Sequence, residues 1–250
     1  LDHLARLSIL LGQCRDRHAL EAERQERERL EAADHLRRTF LASLAHDFRT
    51  PLTVITGRLA MLAQAHPEAR DALGAARRLD RMMTDLVEAA RIEAGSLVPA
   101  LESLDLVDAA DAALDAVEVP AGIAIRRSIP ADLPFVSADP VMLHHVMVNL
   151  IDNALRHASG KVELAAHREG ETVVLRVIDD GPGIAQAERA RIFERFVRLE
   201  GSDRASGSGL GLAIVKGFAD AMGLAIRVDD GPDGGSSFAL TMPLALRRGQ

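Results

Sequence analysis

"HHVMVNLIDNALRHA", residues 144–158, carries two patterns at once. Met147, Leu150, Ile151 and Ala154 fall on one side of a helix; Asn149, Asn153, Arg156 and His157 fall on the other. A plain amphipathic helix with a solvated outer face would explain this. Two carboxamides one turn apart also suit Mg2+ and phosphate oxygens, because Mg2+ takes oxygen ligands and shares them with nucleotide phosphates.

Working outward, this helix lies among short β-like runs at 122–129, 161–167, 172–179, 224–229 and 236–242. Further helical patterns occupy 105–117, 185–195 and 209–222, with 139–158 enclosing the stretch above. Mixed in this order, they predict an α+β or α/β sandwich of about 150 residues that begins near Gly95–Pro99.

Two glycine-bearing stretches in this half invite a ligand. In "VIDDGPGI", 177–184, a strand ends in Asp179-Asp180 and two glycines follow. An ordinary turn has this composition. It also suits a strand end that aims one carboxylate into a cleft while the glycines let a ligand approach the backbone. A carboxylate that accepts from an exocyclic amine would read adenine. In "GSGLGLAIV", 207–215, Gly207, Gly209 and Gly211 run into an apolar helix, whose first N–H groups can bind phosphate. This run has neither the lysine of a Walker-type loop nor the GxGxxG spacing of a dinucleotide fold.

Upstream the chain is helical. Residues 15–38 hold seven Arg and seven Asp or Glu without Gly or Pro, a charged connector helix. Leu41, Phe48, Ile55 and Leu62 then recur every seven residues, with Leu52 and Leu59 between them. "HPEA", 66–69, marks a turn. A second seam follows, in the registers Ala72, Leu79, Leu86 and Ala76, Met83, Ala90, until Gly95 stops it. This is an antiparallel hairpin. Two helices alone cannot bury both stripes, so a four-helix bundle from two chains is expected.

In "LASLAHDFRTPLTVI", 41–55, helical spacing brings Arg49 and Thr50 onto the face of His46. Neutral imidazole can attack phosphorus, and Asp47 is the candidate carboxylate to hold its other nitrogen. Pro51 cannot donate to the carbonyl of residue 47, so the helix should bend just after His46.

Composition narrows the classes. Of the 250 residues, 48% are hydrophobic and only 3% aromatic, and the net charge is -7. No basic field suits nucleic acid. Cys14 is the only cysteine, which rules out intramolecular disulfides and thiolate zinc sites and favours a reducing compartment, the cytoplasm. No apolar run approaches the length of a membrane span, so no membrane contact is expected of these residues. The chain begins at Leu1 rather than Met, and an upstream sensor region, with or without an inner-membrane anchor, is expected to precede it.

Taken in order, "FLASLAHDFRTPLT", "VNLIDNALRHA", "DDGPGI", "IFERFVR" and "GSGLGLAIV" resemble the H, N, G1, F and G2 boxes of sensor histidine kinases across about residues 38–245. The charged helix leading into the H box also resembles that of Kdp-type potassium-response sensor kinases. The resemblance implies an α+β multidomain chain: a connector (1–37), a dimerisation and phosphotransfer hairpin (38–96), a Bergerat-type ATP-binding domain (97–246) and a tail (247–250). It implies ATP and Mg2+ as cofactors. It implies a homodimer and a response-regulator receiver domain as partners.

Residue by residue, it implies that His46 is the phosphoacceptor, Asp47 the assisting base, and Thr50 the residue that orients water when the same domain dephosphorylates its partner. Asn153 would be the Mg2+ ligand, with Asn149 and Arg156 beside the phosphates and His157 stacked near adenine. Asp179 would bind the adenine amine above the turn of Gly181 and Gly183. Phe193 and Phe196 would open a lid spanning about 197–208, Arg198 would reach the terminal phosphate, and Gly207, Gly209, Leu210 and Gly211 would close over the phosphates. "DGGSSF", 233–238, is read as structural. Three duller readings compete: a mechanical ATPase, a regulator phosphatase with little kinase activity, and a dimerisation module. "HDFRTP" would have no purpose in the first, intact Asn153 and Asp179 argue for competent nucleotide binding against the second, and the preserved nucleotide motifs disfavour the third.

Overall fold

A computed structural model describes residues 29, 50–63, 66, 68–95, 97–197 and 208–245. Helix α1 covers residues 50–63 and α2 spans Glu68–Glu93. Glu68 and Asp71 in the first turn of α2 and Arg91 in its last complement the helix dipole. Gly95 ends it with φ 57° and an N–H donated to the Ile92 carbonyl at 3.0 Å, a left-handed stop that favours glycine. The bend expected after His46 falls on residues 46–49, outside the described residues.

The remainder forms strands β1 (Glu102–Leu104), β2 (Ala124–Ser128), β3 (Val136–Ala138), β4 (Lys161–Glu169), β5 (Thr172–Asp179), β6 (Ala225–Asp230) and β7 (Ser236–Pro243). Helices α3 (Leu106–Asp115), α4 (Pro140–His157) and α5 (Gly211–Ala221) lie between them. The main sheet has the order β2-β4-β5-β7-β6; β2 runs parallel to β4 and the other pairs are antiparallel. Leu164, Leu175, Phe238 and Leu240 of the sheet share one core with Leu143, Met147, Leu150 and Ile151 of α4 and with Ile214 and Phe218 of α5. Each such side chain contributes about 2 kcal/mol of transfer free energy.

Asp139 caps α4 with a carboxylate that accepts the N–H groups of Val141 and Met142 at 2.9 Å and of Ala100 at 2.8 Å. Burial by itself would raise its pKa. The three N–H bonds prevail and hold it below the usual carboxylate range. Through Ala100, this one side chain ties the segment after the hairpin to the helix that carries the asparagines.

Two differences from the sequence reading stand out. The helix expected over 185–195 is instead two 3-10 turns, Gln186–Glu188 and Arg191–Phe193. The Arg189 Nε donates to the Ile184 carbonyl at 3.1 Å, Ile192 is buried, and Phe193 meets Phe238 edge to face, so the segment is anchored at short intervals to the sandwich. The small antiparallel pair β1–β3 had no local signal, since its partners lie more than thirty residues apart (Leu104 with Val136, Glu102 with Ala138). Among the described residues no helix is long and apolar enough to cross a membrane.

Candidate functional site

The end of β5 builds one wall of the site. Asp179 is buried, 3% exposed, paired across the sheet with Val162 of β4. Its Oδ1 accepts two backbone N–H groups, from Gly181 at 2.9 Å and from Ser236 at 3.2 Å. Its Oδ2 makes no hydrogen bond among the described residues. A buried carboxylate oxygen left without a donor is costly unless a ligand supplies one. An exocyclic amine fits that requirement.

Backbone crowding explains the glycines around this carboxylate. A Cβ on Gly181 would lie 2.4 Å from the His157 carbonyl oxygen, and one on Gly235 would lie 2.0 Å from the Asp179 carbonyl oxygen. Gly183, at φ 71°, would place a Cβ 2.6 Å from the Gly234 carbonyl oxygen. The loop 231–236 is therefore a second wall of the Asp179 site. Reading "DGGSSF" as structural held for its glycines but missed the Ser236 N–H, which orients the adenine-reading candidate directly.

Helix α4 supplies the next wall. Asn153 and Asn149 are half-buried on its polar face. The Asn149 Nδ2 donates back to the His145 carbonyl at 3.0 Å, which leaves its Oδ1 turned toward α5. There a Cβ on Gly211 would come within 2.9 Å of that oxygen, so the asparagine helix and the second glycine stretch touch. Two motifs more than fifty residues apart thus meet. Leu210, which begins α5, offers no side-chain cap to the first N–H groups of that helix, an arrangement suited to an anion. The Leu210 side chain itself is buried, so only its backbone faces the site.

Arg156 and His157 stand at the end of α4. Arg156 pairs with Asp152, which also receives Arg81 of α2 at 3.2 Å. The imidazole of His157 has its pKa lowered, first by the protein packed around it and then by the Arg156 guanidinium, with Asp179 pulling the other way.

Phe196 closes the described part of the F box with φ 60°, an uncommon conformation for a non-glycine residue. Its N–H donates to the Gly209 carbonyl at 2.9 Å, and Gly209 sits at φ 71°. Strain of this kind persists only where the surroundings enforce it. Here it joins the two ends of the stretch expected to form the lid. His46, Asp47, Arg198 and Gly207 lie outside the described residues; Thr50 is exposed on α1.

A polar seam between α2 and the sandwich escaped the sequence reading. Asp85 accepts from the Ser208 hydroxyl at 3.0 Å, Glu93 pairs with Arg195 at 3.1 Å, and Ile92 lies so near Gly217 that a Cβ there would meet it at 2.6 Å. Burial raises the pKa of Asp85; the Ser208 bond and the Arg156 and Arg81 charges oppose this without cancelling it. The spacing of residues 81, 85, 88 and 92 along one helix face was the available signal, masked by the competing apolar register.

Residues 36–95 match the His Kinase A (phospho-acceptor) domain family, and residues 138–246 match the histidine kinase-, DNA gyrase B- and HSP90-like ATPases. Over 250 residues the chain is 31% identical to sensor protein KdpD of Escherichia coli, covering 96% of this chain and 28% of that protein. A full-length ShkA structure in complex with AMPPNP aligns with TM-score 0.62 and 31% identity, over 82% of this chain and 46% of that one. The mycobacterial sensor histidine kinase MprB aligns with TM-score 0.50 and 28% identity, over 58% of this chain and 97% of that one. The chain therefore spans less than a third of the length of KdpD. With a phosphoacceptor family matched at one end, an ATPase family matched at the other and the Asp179, Asn149 and Gly211 geometry between strand, helix and glycine turn, the chain belongs to the sensor histidine kinases.

Proposed function

We propose that this chain is the transmitter part of a sensor kinase that phosphorylates itself on His46 and passes the phosphoryl group to an aspartate of a response-regulator receiver domain. The observation that carries the nucleotide half is the unpartnered, buried Oδ2 of Asp179 beside α4 and the start of α5. ATP occupies this site, with the adenine amine on Asp179 and the phosphates near Asn149, Arg156 and the N–H groups of α5. Asn153 would hold Mg2+, which would supply positive charge beside the nucleotide phosphates. The side-chain oxygen and half-buried setting of Asn153 suit such an ion.

In the proposed reaction a neutral His46 nitrogen attacks the γ-phosphorus. The bond to the ADP oxygen breaks and ADP leaves with the electron pair. Asp47 accepts the other ring N–H, and Arg198 stabilises the charge on the transferred oxygens. The receiver carboxylate then takes the phosphoryl group from the imidazole. Thr50, exposed on α1, serves a separate phosphatase reaction by orienting water against the phosphorylated regulator. The hairpin, residues 38–96, pairs with a second copy; residues 97–246 act as the catalytic domain, in the cytoplasm.

Incubation with γ-labelled ATP and Mg2+ tests this beside His46→Gln and Asn153→Ala variants. Acid-labile, alkali-stable label that disappears in both variants is expected. Label retained by the His46→Gln protein would overturn the acceptor assignment.

A further inference from the structure

Two aspartates end β5, and they turn opposite ways. Asp179 faces the site. Asp180 faces outward, and its Oδ1 accepts the backbone N–H groups of Ser159 at 2.8 Å and Gly160 at 3.1 Å. The Asp180 N–H donates to the Lys161 carbonyl at 3.3 Å, and the Gly160 carbonyl accepts from Ala124 of β2 at 2.8 Å. Residues 158–160 are the whole connection between α4 and β4. On the inner side of that connection, the backbone at Gly181 lies directly against the His157 carbonyl. The turn after β5 and the end of α4 are thus joined twice: by a carboxylate clamp outside and by a close backbone contact inside.

This joint separates the two groups a nucleotide must reach together. Asp179 precedes the clamp by one residue. Asn153, Arg156 and His157 occupy the last turns of α4, which the clamp holds. The N–H groups of Lys161 and Gly160, helped by that of Ser159, hold the Asp180 carboxyl below its usual range against the opposing effect of burial, so the clamp is charged at neutral pH.

We propose that Asp180 is a positioning residue for nucleotide binding: without touching the ligand, it sets the spacing between Asp179 and the phosphate-facing end of α4. The proposal rests on the nucleotide reading given above. A ligand that engages both ends feels that spacing. A ligand without phosphates, which meets Asp179 and the base-stacking position of His157 but neither Asn153 nor Arg156, feels it far less, because Asp179 is itself oriented by the N–H groups of Gly181 and Ser236. Misplacement of a binding group by a fraction of an ångström to one ångström costs on the order of tenfold to a hundredfold.

The test measures Mg2+·ATP binding by calorimetry and adenosine binding by ligand-detected NMR, for the wild type, Asp180→Ala and Asp180→Asn, with melting curves of the free proteins. In Asp180→Ala the Kd for Mg2+·ATP should rise about tenfold while that for adenosine changes less than about twofold. Asp180→Asn, whose amide oxygen can accept the same N–H groups, should recover most of the loss. Three results would overturn the proposal. ATP affinity unchanged in Asp180→Ala means the spacing is set elsewhere. Equal weakening of ATP and adenosine, in step with a lower melting temperature, means the clamp only supports the fold. An Asn variant as weak as the Ala variant means the negative charge acts, not the N–H bonds. Failure of the wild type to bind Mg2+·ATP would instead refute the nucleotide reading.

Discussion

Leu143, Met147, Leu150 and Ile151 of α4 are wholly withdrawn from solvent, while Ile55 and Leu62 of α1 and Leu79 and Leu86 of α2, no less periodic, stay about half exposed. The difference lies in what surrounds each helix. In the sandwich, a five-stranded sheet and two further helices cover the apolar face of α4 within one chain. In the hairpin, α2 spends one face on α5 and the seam of Asp85, Glu93 and Ile92; elsewhere Ala76 is buried, yet Leu79 and Leu86 stay about half exposed among the described residues. Periodicity reports that a face is to be buried. It does not report by what.

Charges on the exposed seam should break this contrast most strongly. Ile55→Asp combined with Leu86→Asp places carboxylates on the proposed dimer face, and dimer dissociation measured by sedimentation should weaken by at least about 100-fold. The melting of the sandwich should be unchanged, because none of its core residues is touched. A dimer that survives both charges would show that the hairpin stripes face something other than a second copy.

The sandwich has its own weak point. Gly235→Ala drives a methyl group to 2.0 Å from the Asp179 carbonyl oxygen, a backbone atom that cannot turn aside. About 3 kcal/mol of stability should be lost on chemical denaturation, with nucleotide affinity falling alongside. Retention of both would mean that the 231–236 loop does not form the second wall.

Two carboxylates sharpen the comparison with opposite responses to pH. Asp139 has its folded pKa below the ordinary carboxylate value of about 3.8, so its contribution is present above that value and lost as pH falls through the lower folded one. Asp139→Ala should cost about 1–2 kcal/mol at pH 7 and progressively less on acidification. Asp85 has its folded pKa above 3.8, so its contribution is present below that value and lost as pH rises through the higher folded one. Asp85→Asn, which keeps an acceptor for Ser208, should slightly strengthen the α2 contact at pH 7 and have no effect in acid. Melting curves across pH 3 to 7 for both variants check the two signs (range chosen to bracket the ordinary carboxylate value).

The strands β2, β4, β5, β6 and β7 and the helices α3, α4 and α5 were legible in the sequence to within about two residues, because each packs one side of a regular period into a single core. The segment 185–195 was not. Its pattern suited a helix, yet contacts from Arg189, Ile192 and Phe193 to the rest of the sandwich outweighed a weak local preference. Asp179, Gly181, Asn149 and Gly211 were legible one by one, and the structure shows two contacts among them, Gly181 with Asp179 and Gly211 with Asn149. Ser236, Asp85 and Asp180 were not legible as partners. Nothing in the string "DD" tells which carboxylate turns inward.

By itself, the sequence determined the phase of each helix, the alternation of each strand and the chemical inventory of the site, since these follow from short-range periodicity and residue type. Tertiary structure alone decided which aspartate is buried, which N–H groups hold it, and which face of α2 meets the sandwich. Those choices depend on close approach between residues far apart in the chain, where hydrogen-bond geometry over a few tenths of an ångström outweighs any local preference.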